Sequence, residues 1–306
     1  MSNISLEIST MSNTCANCGK EGSDVTNTCN KCKSVKYCNA ACKKKHRKKH
    51  KKECERLVAE LHDEKLFKES PPDEECPICM IQLPTLESGR TYMSCCGKVI
   101  CRGCTHAPVY DDKGNEVENK SCPFCRTPSP TSDEEMIKRY EKRVELNDAN
   151  AIYSMGCCYA GGQHGLPQNH ARAVELWLEA GELEYPAANC NVGYAYSTGE
   201  GVEMNMEKAL YYWELAAMGG YSIARHNLGI VDGRKGNIDR AIKHFMIAVK
   251  DGNANALKKV KQMYKIECAS KDDYTTALRL YQSYLDGIKS DQRDEAAAYS
   301  DEYKYY

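Results

Sequence analysis

No apolar run in this 306-residue sequence approaches the roughly 18 residues that a membrane span requires, which excludes a transmembrane helix. The opening residues, MSNISLEISTMSN, lack both a basic start and an apolar core, so no signal or transit peptide is expected. The cytosol, the nucleus or both are the compartments this predicts. Nor does the sequence hold a nucleophile–base dyad, a phosphate loop or a metal pattern with an open position, which argues against a self-contained enzyme.

Cysteine, by contrast, is abundant. There are 19, and fifteen of them lie between Cys15 and Cys125, nearly all in short-spaced pairs. In a reducing compartment that pattern points to metal ligation rather than disulfides. Cys157, Cys158, Cys190 and Cys268 are scattered over the second half. The first part of the chain is therefore built on metal and the second part on something else. The formal charge of −1 counts thiols as neutral. Fifteen thiolates with four divalent ions bring it to about −8, an acidic balance that disfavours general nucleic-acid binding.

The first cluster is Cys15-x2-Cys18, Cys29-x2-Cys32, Cys38-x3-Cys42 and His50-x3-Cys54. Eight soft ligands in four close pairs suit two closed tetrahedral zinc sites. The pattern resembles a MYND finger, in which the pairs interleave. The resemblance implies that Cys15, Cys18, Cys38 and Cys42 hold one zinc and Cys29, Cys32, His50 and Cys54 the other, with the usual aromatic present as Tyr37. His46 also stands one helical turn before His50, but the family places its ligand at position 50. MYND fingers bind short proline-rich peptides, and Arg47 stands here where many of them have tryptophan. The run KKKHRKKHKK, residues 43 to 52, holds eight Lys or Arg. Without interleaved aromatics for base stacking it reads as a solvated helix that offsets the thiolate charge, and nucleic acid is not an expected partner.

The second cluster is Cys76-x2-Cys79, Cys95-Cys96, Cys101-x2-Cys104 and Cys122-x2-Cys125. CPIC, CRGC and CPFCR resemble a RING finger. In the common form the middle ligands run Cys-Gly-His-x-x-Cys, which would put Lys98 on the histidine, and an ammonium has no lone pair for zinc. Rarer all-cysteine RING fingers have Cys-x-Cys-Gly-x-x-Ile-Cys. CCGKVIC fits that form with one residue deleted, so Cys95 and Cys96 become ligands and Lys98 a surface residue. Neighbouring cysteines in an extended chain point to opposite faces, so the backbone must turn here, and Gly97 makes that easier. By this resemblance Cys76, Cys79, Cys101 and Cys104 hold one zinc and Cys95, Cys96, Cys122 and Cys125 the other. It also implies contacts to a ubiquitin-charged conjugating enzyme through Ile78, Pro123 and Arg126. Pro108 stands where many RING fingers present a bulky apolar residue, and Val109 or Tyr110 are the substitutes at hand.

From about residue 147 the composition shifts to Ala, Gly, Tyr and Leu, and a repeat emerges. Gly156, Gly193 and Gly229 recur at intervals of 37 and 36, and Ala173, Ala209, Ala241 and Ala277 at 36, 32 and 36. Trp177 and Trp213 share the period. Each unit reads as two helices with small residues at their crossing and bulky ones between pairs, which is the physics of a solenoid. Together with the loop GEGV, residues 199 to 202, this resembles the Sel-one-like repeat, a relative of the tetratricopeptide repeat. The resemblance implies a curved, non-catalytic surface that holds a partner protein.

The expected fold is multidomain, with two small zinc-stapled modules of two ions each followed by an all-α solenoid of antiparallel helix pairs. Its segments are a disordered start (1–14), a MYND-like finger (15–54), a helical linker (55–75), a RING-like finger (76–126), a linker and helix (127–146), the repeats (147–290) and a flexible tail (291–306). Ser132, with Glu135 three residues on, predicts the cap of a helix starting near Asp133. The expected function is RING-type ubiquitin ligation with the repeats recruiting the target. The competing expectation is a non-enzymatic scaffold.

Overall fold

The computed structural model describes residues 13–71, 74–107, 109–110, 116–117 and 121–306, and divides them into two compact units, one ending at Lys68 and one beginning at Glu69. Pro108 and most of the expected disordered start lie outside the described residues.

In the first unit two short antiparallel strands, β1 (Asn27–Thr28) and β2 (Lys36–Tyr37), precede one helix, α1 (Ala40–Leu66). Asn39 caps α1, its side chain accepting from the Cys42 N–H. No proline or glycine interrupts residues 40 to 66, so the basic run and the expected linker helix form a single 27-residue element. The helix expected within 55–75 is present as the second half of α1, continuous with the finger's helix and ending at Leu66. Its charge runs along the exposed faces, while His50, Cys54 and Leu66 are buried.

The second unit opens on a hairpin, β3 (Arg90–Met93) with β4 (Lys98–Cys101), antiparallel with Met93 opposite Lys98. A short helix, α2 (Arg102–His106), follows directly, capped by Cys101. Ser132 then caps α3 (Asp133–Val144), accepting from the Glu135 N–H at 3.2 Å. Glu135 itself accepts from the backbone N–H of Thr131 at 2.9 Å, so the capping pair closes one residue earlier than the usual box.

Four helix pairs come next: α4 (Ala149–Gly161) with α5 (His170–Glu182), α6 (Pro186–Thr198) with α7 (Met206–Met218), α8 (Ser222–Arg234) with α9 (Ile238–Lys250), and α10 (Ala254–Lys265) with α11 (Lys271–Ile288). The periodic alanines Ala173, Ala209, Ala241 and Ala277 are all fully buried, because each lies where two helices cross. A Cβ on Gly156 or Gly193 would meet the indole of Trp177 or Trp213 at 2.6 and 2.5 Å, and one on Gly229 would meet Phe245 at 2.7 Å. The glycine period is thus a row of sockets for the aromatics of the second helices. In the GEGV loop Gly201 has φ +74°, and a Cβ there would meet the His170 carbonyl at 2.5 Å.

The end of the chain corrects the sequence reading. Residues 291–306, expected as a flexible tail, form α12 (Asp291–Tyr299), capped by Ser290, and a 3-10 turn at Asp301–Tyr303. Arg293 and Ala296 are buried, and Tyr305 packs with Tyr284 and Ile288. The cysteine module of this unit is docked along the helices at several places. Tyr92 donates to Asp148 at 2.8 Å and stacks on Tyr140, and the backbone N–H of Thr85 donates to the Tyr284 hydroxyl at 2.7 Å.

Candidate metal centres

Four pairs share one local construction. In Cys15–Cys18, Cys29–Cys32, Cys76–Cys79 and Cys122–Cys125 the residue after the second cysteine turns into the left-handed region, with φ +75° at Gly19, +55° at Lys33, +58° at Met80 and +63° at Arg126. Its N–H then reaches back to the carbonyl of the first cysteine at 2.9 to 3.0 Å. This tight knuckle turns both sulfurs to one side. Three of the four residues are not glycine, so three of the four sites hold strain of about 1 kcal/mol that ligation must offset.

The remaining pairs are placed by other elements. Cys38 and Cys42 flank the start of α1, while His50 and Cys54 lie one turn apart on its buried side. Cys95 and Cys96 sit in the β3–β4 turn, where the N–H groups of Cys96 and Gly97 both donate to the Met93 carbonyl at 3.1 and 2.8 Å and Gly97 takes φ +74°. Cys101 and Cys104 bracket the first turn of α2.

The ligand atoms gather into four groups, each within 4.8 Å: Cys15, Cys18, Cys38 and Cys42; Cys29, Cys32, His50 and Cys54; Cys76, Cys79, Cys101 and Cys104; Cys95, Cys96, Cys122 and Cys125. This is the partition that the two resemblances imply. A tetrahedral ion with metal–sulfur bonds of about 2.3 Å sets its sulfurs about 3.8 Å apart. The sulfur pairs fit that edge: 3.7 Å for Cys18 and Cys38, 3.6 Å for Cys29 and Cys54, 3.8 Å for Cys79 and Cys101, and 3.9 Å for Cys96 and Cys122. Cys95 and Cys125 are closer, at 3.4 Å, as are His50 Nε2 and Cys32 Sγ at 3.2 Å. The donor set is soft and closed, which suits structural zinc and leaves no position for substrate.

Electrostatics within a cluster point the same way. Cys76 is held down at about 4, chiefly by the hydrogen bond from the Cys101 thiol and against the effect of burial. Cys101 is pushed up by that same bond and by its burial. A divalent cation among the sulfurs removes the conflict by favouring all four thiolates at once.

His46 stands outside the clusters. Its Nδ1 lies 3.2 Å from the Tyr37 hydroxyl and its ring stacks on His50, with burial first and the neighbouring His50 and Lys49 next lowering its pKa. It braces the ligand from behind. Lys98 is exposed, with its ammonium 5.9 Å from the Phe124 ring centre. The Cys95→Ser variant should therefore bind one zinc fewer by elemental analysis, while Lys98→Ala should leave the metal content unchanged. Equal content in both would remove Cys95 from the ligand set.

The other predicted site residues lie near the knuckles. Ile78 is 41% exposed between the first two ligands of the second module, Pro123 is half-buried, and Arg126 is exposed at the knuckle turn. Sequence reasoning missed the exposed Phe124 and Met80 beside them, and it missed Arg293.

Residues 15–54 match the model of the MYND finger, and residues 149–185, 186–221 and 222–253 each match that of the Sel1 repeat. The chain carries a MYND finger and Sel1 repeats. Among curated proteins it is similar to the E3 ubiquitin-protein ligase DA2 of Arabidopsis thaliana, with 23% identity over 57% of this chain and 40% of that protein. It is also similar to the E3 ubiquitin-protein ligase GW2 of rice, with 34% identity over 23% of this chain and 15% of that one. The chain thus spans less than half the length of these relatives. Among solved structures it is similar to a Sel1 repeat protein from Oxalobacter formigenes, with 27% identity over 50% of this chain and 64% of that one and a TM-score of 0.45. The chain thus combines a MYND finger, a second cysteine-rich module with two four-sulfur clusters, and Sel1 repeats.

Proposed function

We propose that the second cysteine module is an all-cysteine RING finger and that the chain is a ubiquitin-protein ligase. It binds four zinc ions. The observation that carries this reading is the pairing of two complete four-sulfur clusters with an exposed Ile78 and an exposed Arg126 at their knuckles. An apolar side chain held in water by a rigid knuckle is a ready contact for a conjugating enzyme. An exposed guanidinium after the last ligand can hydrogen-bond ubiquitin and that enzyme together. The module itself forms no covalent intermediate. It accelerates transfer by fixing the thioester in a reactive orientation.

The Sel1 repeats would bring the target within reach, and the MYND finger is the candidate site for a proline-rich peptide. The cytosol and nucleus are the compartments that suit thiolate zinc sites.

The test is discharge of ubiquitin from a panel of charged conjugating enzymes onto free lysine. The full zinc-loaded chain is expected to accelerate discharge by at least tenfold with one or more of them, with the gain lost in Ile78→Ala and in Arg126→Ala. No acceleration despite four bound zinc ions would leave the scaffold reading, in which both zinc modules only bind proteins.

A further inference from the structure

Arg293, on the helix that sequence reasoning left as a loose tail, is 1% exposed. Its Nη1 donates to the carbonyls of Gln82 at 2.8 Å and Ile288 at 2.6 Å, and its Nη2 to the carbonyl of Ile81 at 3.3 Å. These bonds satisfy donors but supply no negative charge. Among the described residues no carboxylate comes within ion-pairing distance of it. A buried cation without a counter-charge is strongly disfavoured, so its partner must be another kind of anion.

The group at hand is sulfur. Nη2 of Arg293 lies 3.9 Å from Sγ of Cys79. The neighbouring Gln292 accepts from the Cys104 thiol through Oε1 at 3.8 Å. Two consecutive residues of α12 therefore touch a cluster that, as four thiolates around one divalent ion, carries a net charge of about −2. The approach is close by construction. A Cβ on Gly103, between the ligands Cys101 and Cys104, would meet the Arg293 backbone nitrogen at 2.8 Å.

We propose that α12 is the outer shell of the Cys76–Cys79–Cys101–Cys104 metal site, with Arg293 providing counter-charge and N–H donors to its thiolates and Gln292 a further donor. Retention of that one ion and docking of the last helix are then coupled, and the coupling is reciprocal. A thiolate only accepts, so in the metallated protein the Gln292 amide is turned over, with Nε2 in place of Oε1 facing Cys104. This holds whether or not the module serves ubiquitin transfer.

The test uses the full chain. Loaded with cadmium-113, it should show one resonance per site. Arg293→Gln is expected to shift a single four-sulfur resonance, the one coupled to the Cys79 β-protons, and to speed transfer of one zinc equivalent to a colorimetric chelator by at least tenfold. The other three equivalents should keep their rates, and Arg293→Lys, which keeps the charge, should restore part of the loss. Helical circular dichroism unchanged in both variants shows that the repeats remain folded. Unmoved cadmium resonances and zinc rates, with only faster amide exchange in residues 291–299, would reduce Arg293 to a packing residue and overturn the proposal.

Discussion

Chelation of the metal is expected to unfold both cysteine modules and leave most of the helical signal of the Sel1 repeats in place. The reason lies in what each part buries. In the MYND finger the buried side chains are Cys15, Val25, Cys32, Tyr37, His50 and Cys54, with Leu66 at the far end of α1. In the second module they centre on Cys76, Leu83, Ile100, Cys101, Cys104 and Cys122. Most of these are ligands, so without metal the cores contain almost no apolar surface to hold them. Structural zinc contributes on the order of 10 kcal/mol or more per site, far above what two or three aliphatic side chains supply.

The helix α1 should melt with its finger. It is fastened through Cys42, His50 and Cys54, and its eight cations between residues 43 and 52 repel one another at helical spacing. The repeats differ, since Ile152, Val174, Trp177 and Val192 form a dry core of their own, as do Phe245, Val249 and Val260. Far-UV circular dichroism together with amide exchange, followed through a chelator titration, reads both halves. Complete loss of helical signal, or continued protection of residues 15–54 after metal removal, would contradict this account.

What the sequence made legible follows from range. A short-spaced ligand pair is a local object, because its two donor atoms are set by one turn of backbone, and all eight pairs could be read directly. Which pair joins which is a long-range fact, and there the spacing alone left the matter open until a family plan was laid over it. The repeat period was legible because the same socket recurs: Gly156, Gly193 and Gly229 each face an aromatic ring. The docking of the second module had no such signature. Thr85 meets Tyr284 across 199 residues and Arg293 meets Gln82 across 211, and nothing near either residue announces the other.

The tail was a different kind of miss. Ser290 followed by Asp291, Asp294 and a run of alanines is a capped, dipole-matched helix start, and it was readable. It was passed over because its apolar face is only two alanines wide. The partner of that face is a charged zinc cluster together with the carbonyls of Ile81 and Gln82, which hydrophobic periodicity does not register.

The sockets yield the second large effect. Trp213→Ala should destabilise the repeats by about 3–5 kcal/mol, the usual cost of emptying a buried aromatic site. Trp213 is 6% exposed, and its Cδ1 and Nε1 lie 2.5 and 2.6 Å from where a Cβ on Gly193 would sit. Gly193→Ala alone should also destabilise, because its Cβ would start 2.5 Å from the indole and one helix must move off the other. Glycine in mid-helix otherwise costs about 1 kcal/mol relative to alanine. The two changes are therefore expected to couple with a change of sign: once the ring is gone, Gly193→Ala stabilises. Because each pair leans on its neighbours, the loss should spread to the flanking repeats rather than stay local. Urea unfolding with zinc saturating, followed by far-UV circular dichroism, measures all four corners of the cycle with one probe. If Gly193→Ala costs the same in both backgrounds, the glycine is kept by some constraint other than the ring, and the socket account of the repeat period fails.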